Sequence, residues 1–202
     1  MNKQIFVKWL KINVLWFIGA FIVALLLALL FPDTMLGFVR SWGAYTVAVG
    51  PTVLESTSKE ALFINILAKN VFMTILYFLA SLLFLAPLIA IMSGTFYSLG
   101  LLSAIERGVV PVWHSPILIA IEVSFILLTI TFASALATEI FGVKPERKEI
   151  MDFWKKNWKK LFPEQKRNWR VVVKENKKEL IWFTVVFLAL LLFGAWFEVW
   201  GY

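Results

Sequence analysis

The sequence predicts an all-α membrane protein, a bundle of about five transmembrane helices. Of its 202 residues, 60% are hydrophobic and only 16% are charged, whereas a soluble domain is about half apolar and a quarter charged. Several apolar runs approach or exceed the roughly 20 residues with which a helix crosses a bilayer. A membrane β-barrel would instead show alternating stretches of about ten residues, and the sequence has none. A soluble all-helical protein with unusually apolar helices is the remaining alternative.

The first span follows a basic start. Lys3, Lys8 and Lys11 precede residues 12–31, which carry no charge. A secretory signal peptide would have an apolar region of only about 7–15 residues and an A-x-A-like cleavage site. Because this run is longer and lacks such a site, we expect an uncleaved first transmembrane helix.

Two further spans are expected between residues 61 and 105. Ser58 is a candidate N-cap for the helix that begins there. Residues 71–105 contain no charged residue, and one span needs only about 20 residues. Either a short turn divides the stretch, with Pro87 and the segment 93–98 as candidate breaks, or it forms one long helix and a partial one.

The fourth span is expected from about residue 117 to 141, and Gly142 and Pro145 favour a helix end there. Small and hydroxyl side chains let transmembrane helices approach closely and hydrogen-bond to each other. The fourth span is rich in them, which predicts a central position in the bundle. The third span has its own candidate packing positions: Ser93, Gly94 and Gly100.

Residues 144–179 form the one long hydrophilic segment, with 13 Lys and Arg against 6 Asp and Glu, a net charge of +7. The last span is expected over residues 180–199. The chain therefore divides into a four-span bundle (1–143), a basic segment (144–179) and a C-terminal transmembrane helix (180–202).

The basic residues also predict the orientation. They concentrate at the start of the chain and in 144–179, whereas residues 32–60 contain only Arg40 and Lys59 and the loop 106–115 only Arg107. Cytoplasmic loops carry the excess of Lys and Arg. We therefore expect a multi-pass cell-membrane protein with its N-terminus in the cytoplasm and its C-terminus outside.

The basic segment contains an amphipathic pattern. In 153–162 ("FWKKNWKKLF"), Trp154, Trp158 and Leu161 recur at helical spacing on one face. Four lysines lie beside and opposite that face: Lys155, Lys156, Lys159 and Lys160. Such a helix suits a membrane surface with anionic headgroups, and docking of a cytoplasmic protein is the alternative. The interleaved acids argue against nucleic acid as a partner.

Polar residues at membrane depth form the main candidate site. In this topology Lys69 and Glu122 lie at similar depth in the same leaflet, on the second and fourth spans. An isolated charge in a bilayer is costly and intramembrane charges usually face the bundle interior, so we expect the two to pair. Asn65, Asn70 and His114 complete the cluster. Three roles are open for this cluster: a packing pair that fixes the register of the helices, a functional cluster that lines a cavity or partner site, or part of an ion pathway.

Candidate catalytic and metal-binding groups are scarce. The sequence has no cysteine and a single histidine, which excludes thiolate chemistry and makes a metal site improbable. No HExxH or Gly-x-Ser-x-Gly motif occurs. We therefore expect neither an enzyme nor a cofactor.

Three short motifs lie in and after the segment 66–102 ("ILAKNVFMTILYFLASLLFLAPLIAIMSGTFYSLGLL"). They are Lys69-Asn70, then Ser93-Gly94 with Gly100, then "VWHSP" followed by Glu122. In this order the chain resembles the stage II sporulation protein M family, which typically has Asn-Asn, Asn-Gly with a further Gly, and Pro-His-Gly followed by Glu-Leu. In Lys69-Asn70 and in Ser93-Gly94, one of the two residues matches the family pair, and Val123 stands in place of the family's Leu after Glu122.

The resemblance implies a non-enzymatic integral membrane protein. In endospore formers, members of that family hold cell-wall hydrolases at the engulfing membrane, and relatives occur in archaea. We accordingly expect scaffolding or assembly of a membrane complex, with protein partners that include a second copy of the chain. The alternative is a permease-like subunit of a transporter that works with a cytoplasmic ATPase.

Overall fold

The computed structural model describes residues 1–35, 37, 58–107, 114–157, 159–160 and 163–200, with the backbone alone for 103–107 and 114–116. These ranges contain the helices α1 (Lys3–Leu30), α2 (Lys59–Leu82), α3 (Ala86–Arg107), α4 (His114–Phe141), α5 (Arg147–Asn157), α6 (Trp169–Glu175) and α7 (Lys177–Trp200), and residues 32–35 are also helical. The described part of the chain contains no strand, which confirms the all-α fold class. Most of the segment 32–60 lies outside the described residues.

Four helices are long and apolar enough to cross a membrane: α1, α2, residues 117–141 of α4, and α7. The helix α3 has 22 residues, with a shorter apolar stretch at Ala86–Leu102. At 1.5 Å per residue, 22 residues extend about 33 Å, close to the roughly 30 Å of a bilayer core. Four helices that can each cross a bilayer are consistent with a multi-pass membrane protein. The helix α3 is long enough to make a fifth crossing.

The turn between α2 and α3 occupies only residues 83–85. It lies just before Pro87, one of the two predicted breaks, whereas residues 93–98 are helical. Phe84 adopts a left-handed backbone conformation (φ 61°). Its N–H donates to the Ser81 carbonyl, and the N–H of Leu85 donates to that of Ala80. The turn thus satisfies its own backbone donors, as a turn away from water must.

An aromatic cluster buries this turn. The ring of Phe84 is only 2% exposed, with ring-centroid distances of 5.9 Å to Trp9, 6.2 Å to Phe141 and 5.0 Å to Phe153. The start of α1, the end of α4 and α5 therefore meet at one end of the bundle. We call this the basic end, since the basic segment 144–179 lies there, and the opposite end the distal end.

The five long helices alternate in direction between these ends. The start of α7 lies at the basic end, where Glu179 accepts a 3.1 Å hydrogen bond from the amino group of Met1. The end of α7 lies at the distal end beside the start of α2, because the rings of Trp200 and Phe63 are 5.4 Å apart. This alternation is what consecutive crossings of a bilayer require.

The helix α4 is central, as its small and hydroxyl residues predict. It contacts α1 and α3 on one side and α2 and α7 on the other, and residues 129–138 are buried without interruption. Two buried hydrogen bonds connect it to α1: Asn13 Nδ2 donates to Thr131 (3.1 Å), and Trp9 Nε1 donates to Thr138 (2.9 Å). Polar side chains therefore fix α4 against α1 inside an otherwise apolar core.

The helix α4 ends at Phe141, directly before Gly142, as predicted. Gly142 has a left-handed backbone (φ 68°), which glycine adopts at little cost, and its N–H donates to the Thr138 carbonyl (2.8 Å). The carbonyl of Ile140 accepts from the backbone N–H groups of Lys166 and Arg167 at 2.9 and 3.0 Å. The basic segment thus returns to cap the last turn of the central helix.

The helix α5 is shorter than the predicted surface helix. It ends at Asn157, before the predicted end at residue 162, and Trp158 lies outside the described residues. Its apolar side packs against the bundle: Phe153 is buried and Trp154 is half-buried within the aromatic cluster. Phe153 is therefore covered by protein, whereas Trp158 and Leu161 of the predicted lipid-facing side lie outside the described residues, and contact of that side with a lipid headgroup layer stays a prediction. Lys155, Lys156, Lys159 and Lys160 are all exposed.

Candidate functional site

Three ionisable residues from different spans lie towards the distal end. The rings of Phe63 on α2 and Trp200 on α7 meet at this end. Lys69 lies six residues after Phe63, and Glu198 lies two residues before Trp200. Glu122 lies eight residues after the start of α4. Three neighbouring helices thus contribute two carboxyl groups and one ammonium group to the same region.

Glu122 is half-buried and faces α3. The Tyr97 hydroxyl of α3 is among the polar groups that interact with its carboxyl group. Lys69 and Glu198 lie within electrostatic range of that carboxyl group, and so does the Tyr77 hydroxyl of α2. The structure thus brings Glu122 and Lys69 into one region, as expected, together with the phenol of Tyr97.

Lys69 does not form the direct ion pair that the sequence predicts. Among the described residues, the ion pairs with N···O distances up to 4.0 Å lie at the basic end, and none includes Lys69 or Glu122. Lys69 is exposed on the outer side of α2, whereas Glu122 turns inwards to Tyr97. The two charges therefore attract each other across a longer gap.

The other predicted members of the cluster are more dispersed. Asn65 is exposed on α2, one turn before Lys69, and Asn70 is half-buried. The main-chain carbonyl of Asn70 accepts a 2.7 Å hydrogen bond from Thr74. His114 begins α4, and its side chain lies outside the described part of the structure. Within the described side chains, the cluster consists of Glu122 with its neighbours rather than a ring of all five residues.

Glu198 is the member that sequence reasoning missed. It lies near the end of the last span, where a charge is ordinarily read as facing the headgroups, and its proximity to Glu122 depends on how α7 crosses α4. Glu198 is half-buried. It has neither a hydrogen bond nor an ion pair of 4.0 Å or less with another described residue. The one available signal was an acid inside the aromatic stretch "WFEVW".

The outer side of α2 is the second feature of this end. Of the four long spans, α2 is the least buried inside the structure. Its exposed residues recur at spacings of three and four and form one face, which we call the α2 outer face: Ile64, Asn65, Ala68, Lys69, Phe72, Ile75, Leu76 and Leu79. The face is apolar towards the basic end and polar at Asn65 and Lys69.

The predicted packing residues of α3 divide into two groups. Gly94 and Ser93 are buried, and a Cβ atom at Gly94 would overlap the carbonyl oxygen of Phe17 on α1. Gly100 is exposed, and a Cβ atom there would meet nothing within 4 Å. Gly94 therefore permits the close approach of α1 and α3, whereas Gly100 makes no helix contact within the described part of the chain.

An open cavity of about 430 Å³ lies at the basic end, between the end of α4, α5 and the chain that returns at residues 164–166. Its walls combine apolar rings with charges of both signs, among them Phe141, Phe153, Glu149, Asp152, Lys156 and Lys166. Such a surface suits a charged polypeptide segment better than a small apolar ligand.

Comparison with family models, curated proteins and solved structures gives no match to this chain. Among the described residues, no group of three or more His, Cys, Asp or Glu side chains could hold a metal ion.

Proposed function

We propose that this chain is a non-enzymatic membrane protein that assembles or scaffolds a complex through helix contacts within the bilayer. Its partner would bind the α2 outer face. The proposal places the N-terminus and the basic end in the cytoplasm and the C-terminus outside, because the basic residues of the chain concentrate at that end.

The exposure of Lys69 at membrane depth carries the proposal. Lys69 lies ten residues after Lys59, about 15 Å along the helix, against a bilayer core of roughly 30 Å. Ionisable groups at such depth ordinarily face the bundle interior or a partner. Lys69 can extend towards the headgroups on its long stem, but Asn65 has too short a side chain to do so. A partner helix that covers this strip would satisfy both groups.

Two further observations support assembly over catalysis. The central segment resembles the stage II sporulation protein M family at Lys69-Asn70, Ser93-Gly94 and Glu122, and that resemblance implies a non-enzymatic role. The described residues that line the distal cluster are acids, phenols and one lysine, without a nucleophile and base in contact. We therefore propose that the cluster orients helices rather than transforms a substrate.

The test is affinity purification from native membranes, comparing the wild-type chain with two variants. The double variant Asn65→Leu, Lys69→Leu makes the α2 outer face apolar, and Lys155→Gln, Lys156→Gln removes two exposed charges from α5. Loss of a co-purifying membrane protein with the first variant alone is the expected result. Equal recovery with both variants and the wild type would refute assembly through α2.

A second candidate function is that of a transporter subunit that docks a cytoplasmic ATPase. The observation in its favour is the charged cavity of about 430 Å³ at the basic end, beside the exposed lysines of α5. In the same experiment this function predicts loss of a soluble nucleotide-hydrolysing protein when Lys155 and Lys156 are replaced. It predicts no change for the α2 variant.

A further inference from the structure

The short helix α6 lies at the depth of the last turn of α4. Its buried Val172 belongs to one apolar cluster with Ile140 of α4, and the side-chain amide of Asn176, directly after α6, donates a 2.7 Å hydrogen bond to Glu139 Oε2. The candidate span 117–141 has 25 residues, which extend about 38 Å. Because a bilayer core is only about 30 Å thick, the last turn of α4 reaches the headgroup layer, and α6 lies beside it.

The sides of α6 differ in chemistry. Next to the buried Val172, Trp169 and Val173 lie one turn apart and are 49% and 37% exposed. Arg170 and Lys174, also one turn apart, form the adjoining strip and are both exposed. An apolar strip beside a basic strip is typical of helices at a membrane surface, whose apolar side chains enter the acyl boundary while their cations stay among the headgroups.

The cations around α6 are not neutralised by the neighbouring acids of the chain. Glu175 already pairs with Arg167 at 2.6 Å, and Glu179 pairs with the amino group of Met1 at 3.1 Å. Among the described residues, four cations of this region have no ion pair of 4.0 Å or less: Arg170, Lys174, Lys177 and Lys178. At headgroup depth, such a group of cations is complementary to the phosphates of anionic lipids.

We propose that α6 is a binding site for anionic lipid. Trp169 and Val173 enter the acyl boundary of the leaflet at the basic end, and Arg170 and Lys174 bind lipid phosphate groups. The site is independent of the partner proposed for the α2 outer face and separate from the basic stretch of α5. Since the chain just before α6 caps the last turn of α4, lipid bound there would hold that cap against the membrane.

The depth of α6 is tested with single cysteines, since the chain has no native cysteine. Val173→Cys and Val171→Cys replace two exposed valines on different sides of the helix, and each would carry an environment-sensitive fluorophore. The purified chain is reconstituted into vesicles of phosphatidylcholine and phosphatidylglycerol in equal amounts. Lipids spin-labelled on the acyl chain should quench the label at position 173 more strongly, and aqueous iodide the label at position 171. Equal or reversed quenching at the two positions would overturn the proposal.

The lipid specificity is tested with the double variant Arg170→Gln, Lys174→Gln. Its affinity for phosphatidylglycerol, measured by native mass spectrometry of the full chain, should fall roughly 25-fold, about fivefold for each cation. The matched control Arg170→Lys, Lys174→Arg keeps both charges and should bind as the wild type does. An unchanged affinity in the glutamine variant, or equal binding of phosphatidylcholine and phosphatidylglycerol by the wild type, would refute an anionic-lipid site.

A protein partner on the same surface would give a different result. Because both tests use the purified chain, no other protein can cover α6 in them. A label at position 173 that iodide reaches in vesicles but not in native membranes would assign the surface to a protein and overturn the lipid site. If the glutamine variant has a lower melting temperature in detergent than the wild type, the single variant Lys174→Gln replaces it, with an expected loss of about fivefold in affinity.

Discussion

Gly94 of α3 lies against the main chain of Phe17 on α1, so closely that a Cβ atom at Gly94 would overlap the Phe17 carbonyl oxygen. The neighbouring atoms are backbone, including the nitrogen of Phe21 at 3.2 Å, and backbone cannot turn aside as a side chain can. We predict that Gly94→Ala lowers the stability of the purified protein by about 1–3 kcal/mol, the usual cost of overpacking. The measurement is thermal unfolding in detergent.

Gly100→Ala is the matched control on the same helix. A Cβ atom at Gly100 would meet nothing within 4 Å, and alanine favours a helix by roughly 0.5–1 kcal/mol over glycine. We therefore expect Gly100→Ala to leave the melting temperature unchanged or to raise it. If the two alanine variants melt at the same temperature, the close approach at Gly94 is not present in the folded protein.

At Phe84, glycine should be a less destabilising replacement than alanine. Phe84→Ala removes a ring buried against Trp9 and Phe153, which costs about 3–5 kcal/mol, and keeps a side chain in the left-handed region (φ 61°). Phe84→Gly loses the same ring but relieves the backbone, since left-handed residues other than glycine cost roughly 1–2 kcal/mol. The glycine variant should therefore be more stable than the alanine variant, although both are less stable than the wild type.

Thermal unfolding of the two variants under one condition decides this point. A melting temperature for Phe84→Gly at or below that of Phe84→Ala would mean that the turn adopts a different backbone conformation. A second check is Leu83→Ala, one residue earlier in the turn, where the backbone is not left-handed. There, replacement by glycine instead of alanine should bring no gain.

Much of this architecture could be predicted from sequence, because membrane spans obey strong constraints of length and polarity. The apolar run that ends at Leu30, the stop at Gly142 and the N-cap at Ser58, whose side chain accepts from the Ala61 N–H at 3.3 Å, are all local features. A break within residues 71–105 is expected from their length, which exceeds one span, and Pro87 is one of its two candidate positions. Each of these features depends on neighbours in the chain and not on the packing of distant helices.

The candidate site could be predicted only in part. Depth along a helix follows from residue counts, which brings Lys69 and Glu122 to one leaflet, but the direction of each side chain around its helix depends on crossing angles. That rotation turns Glu122 to Tyr97 and leaves Lys69 outside. It also brings Glu198 into the cluster. The apolar side of α5 raises the same difficulty, since the periodicity around Trp154 does not distinguish lipid from protein as its neighbour.

The hydrogen bond from Trp9 to Thr138 should contribute measurably to the α1–α4 contact. Trp9 Nε1 donates to the Thr138 hydroxyl at 2.9 Å, and both residues are buried. Thr138→Val keeps the shape of the side chain but leaves the indole N–H without an acceptor, so we expect a loss of about 1–2 kcal/mol. Thr138→Ser retains the hydroxyl and should lose less.

The control for that variant is Thr184→Val on α7. The Thr184 hydroxyl is exposed and donates to the Leu180 carbonyl of its own helix at 2.8 Å, so that its removal breaks no contact between helices. Thermal unfolding of the three variants should give the order Thr138→Val, Thr138→Ser, Thr184→Val from least to most stable. An equal melting temperature for Thr138→Val and Thr184→Val would show that the buried bond has no net effect.

The attachment of α5 to the bundle should depend on Phe153 and not on the lysines beside it. Phe153 is buried against Phe84 and Phe141, with ring centroids at 5.0 and 5.4 Å, whereas Lys155 and Lys156 are exposed. We expect Phe153→Ala to release α5 from the bundle, because Phe153 is the buried apolar side chain of this helix. Hydrogen–deuterium exchange across Arg147–Asn157 should then become much faster, while exchange in α4 stays slow.

The control is the double variant Lys155→Gln, Lys156→Gln, which should leave exchange in α5 unchanged. Faster exchange in that variant would indicate that α5 is held by its charges on anionic lipid rather than by the aromatic cluster.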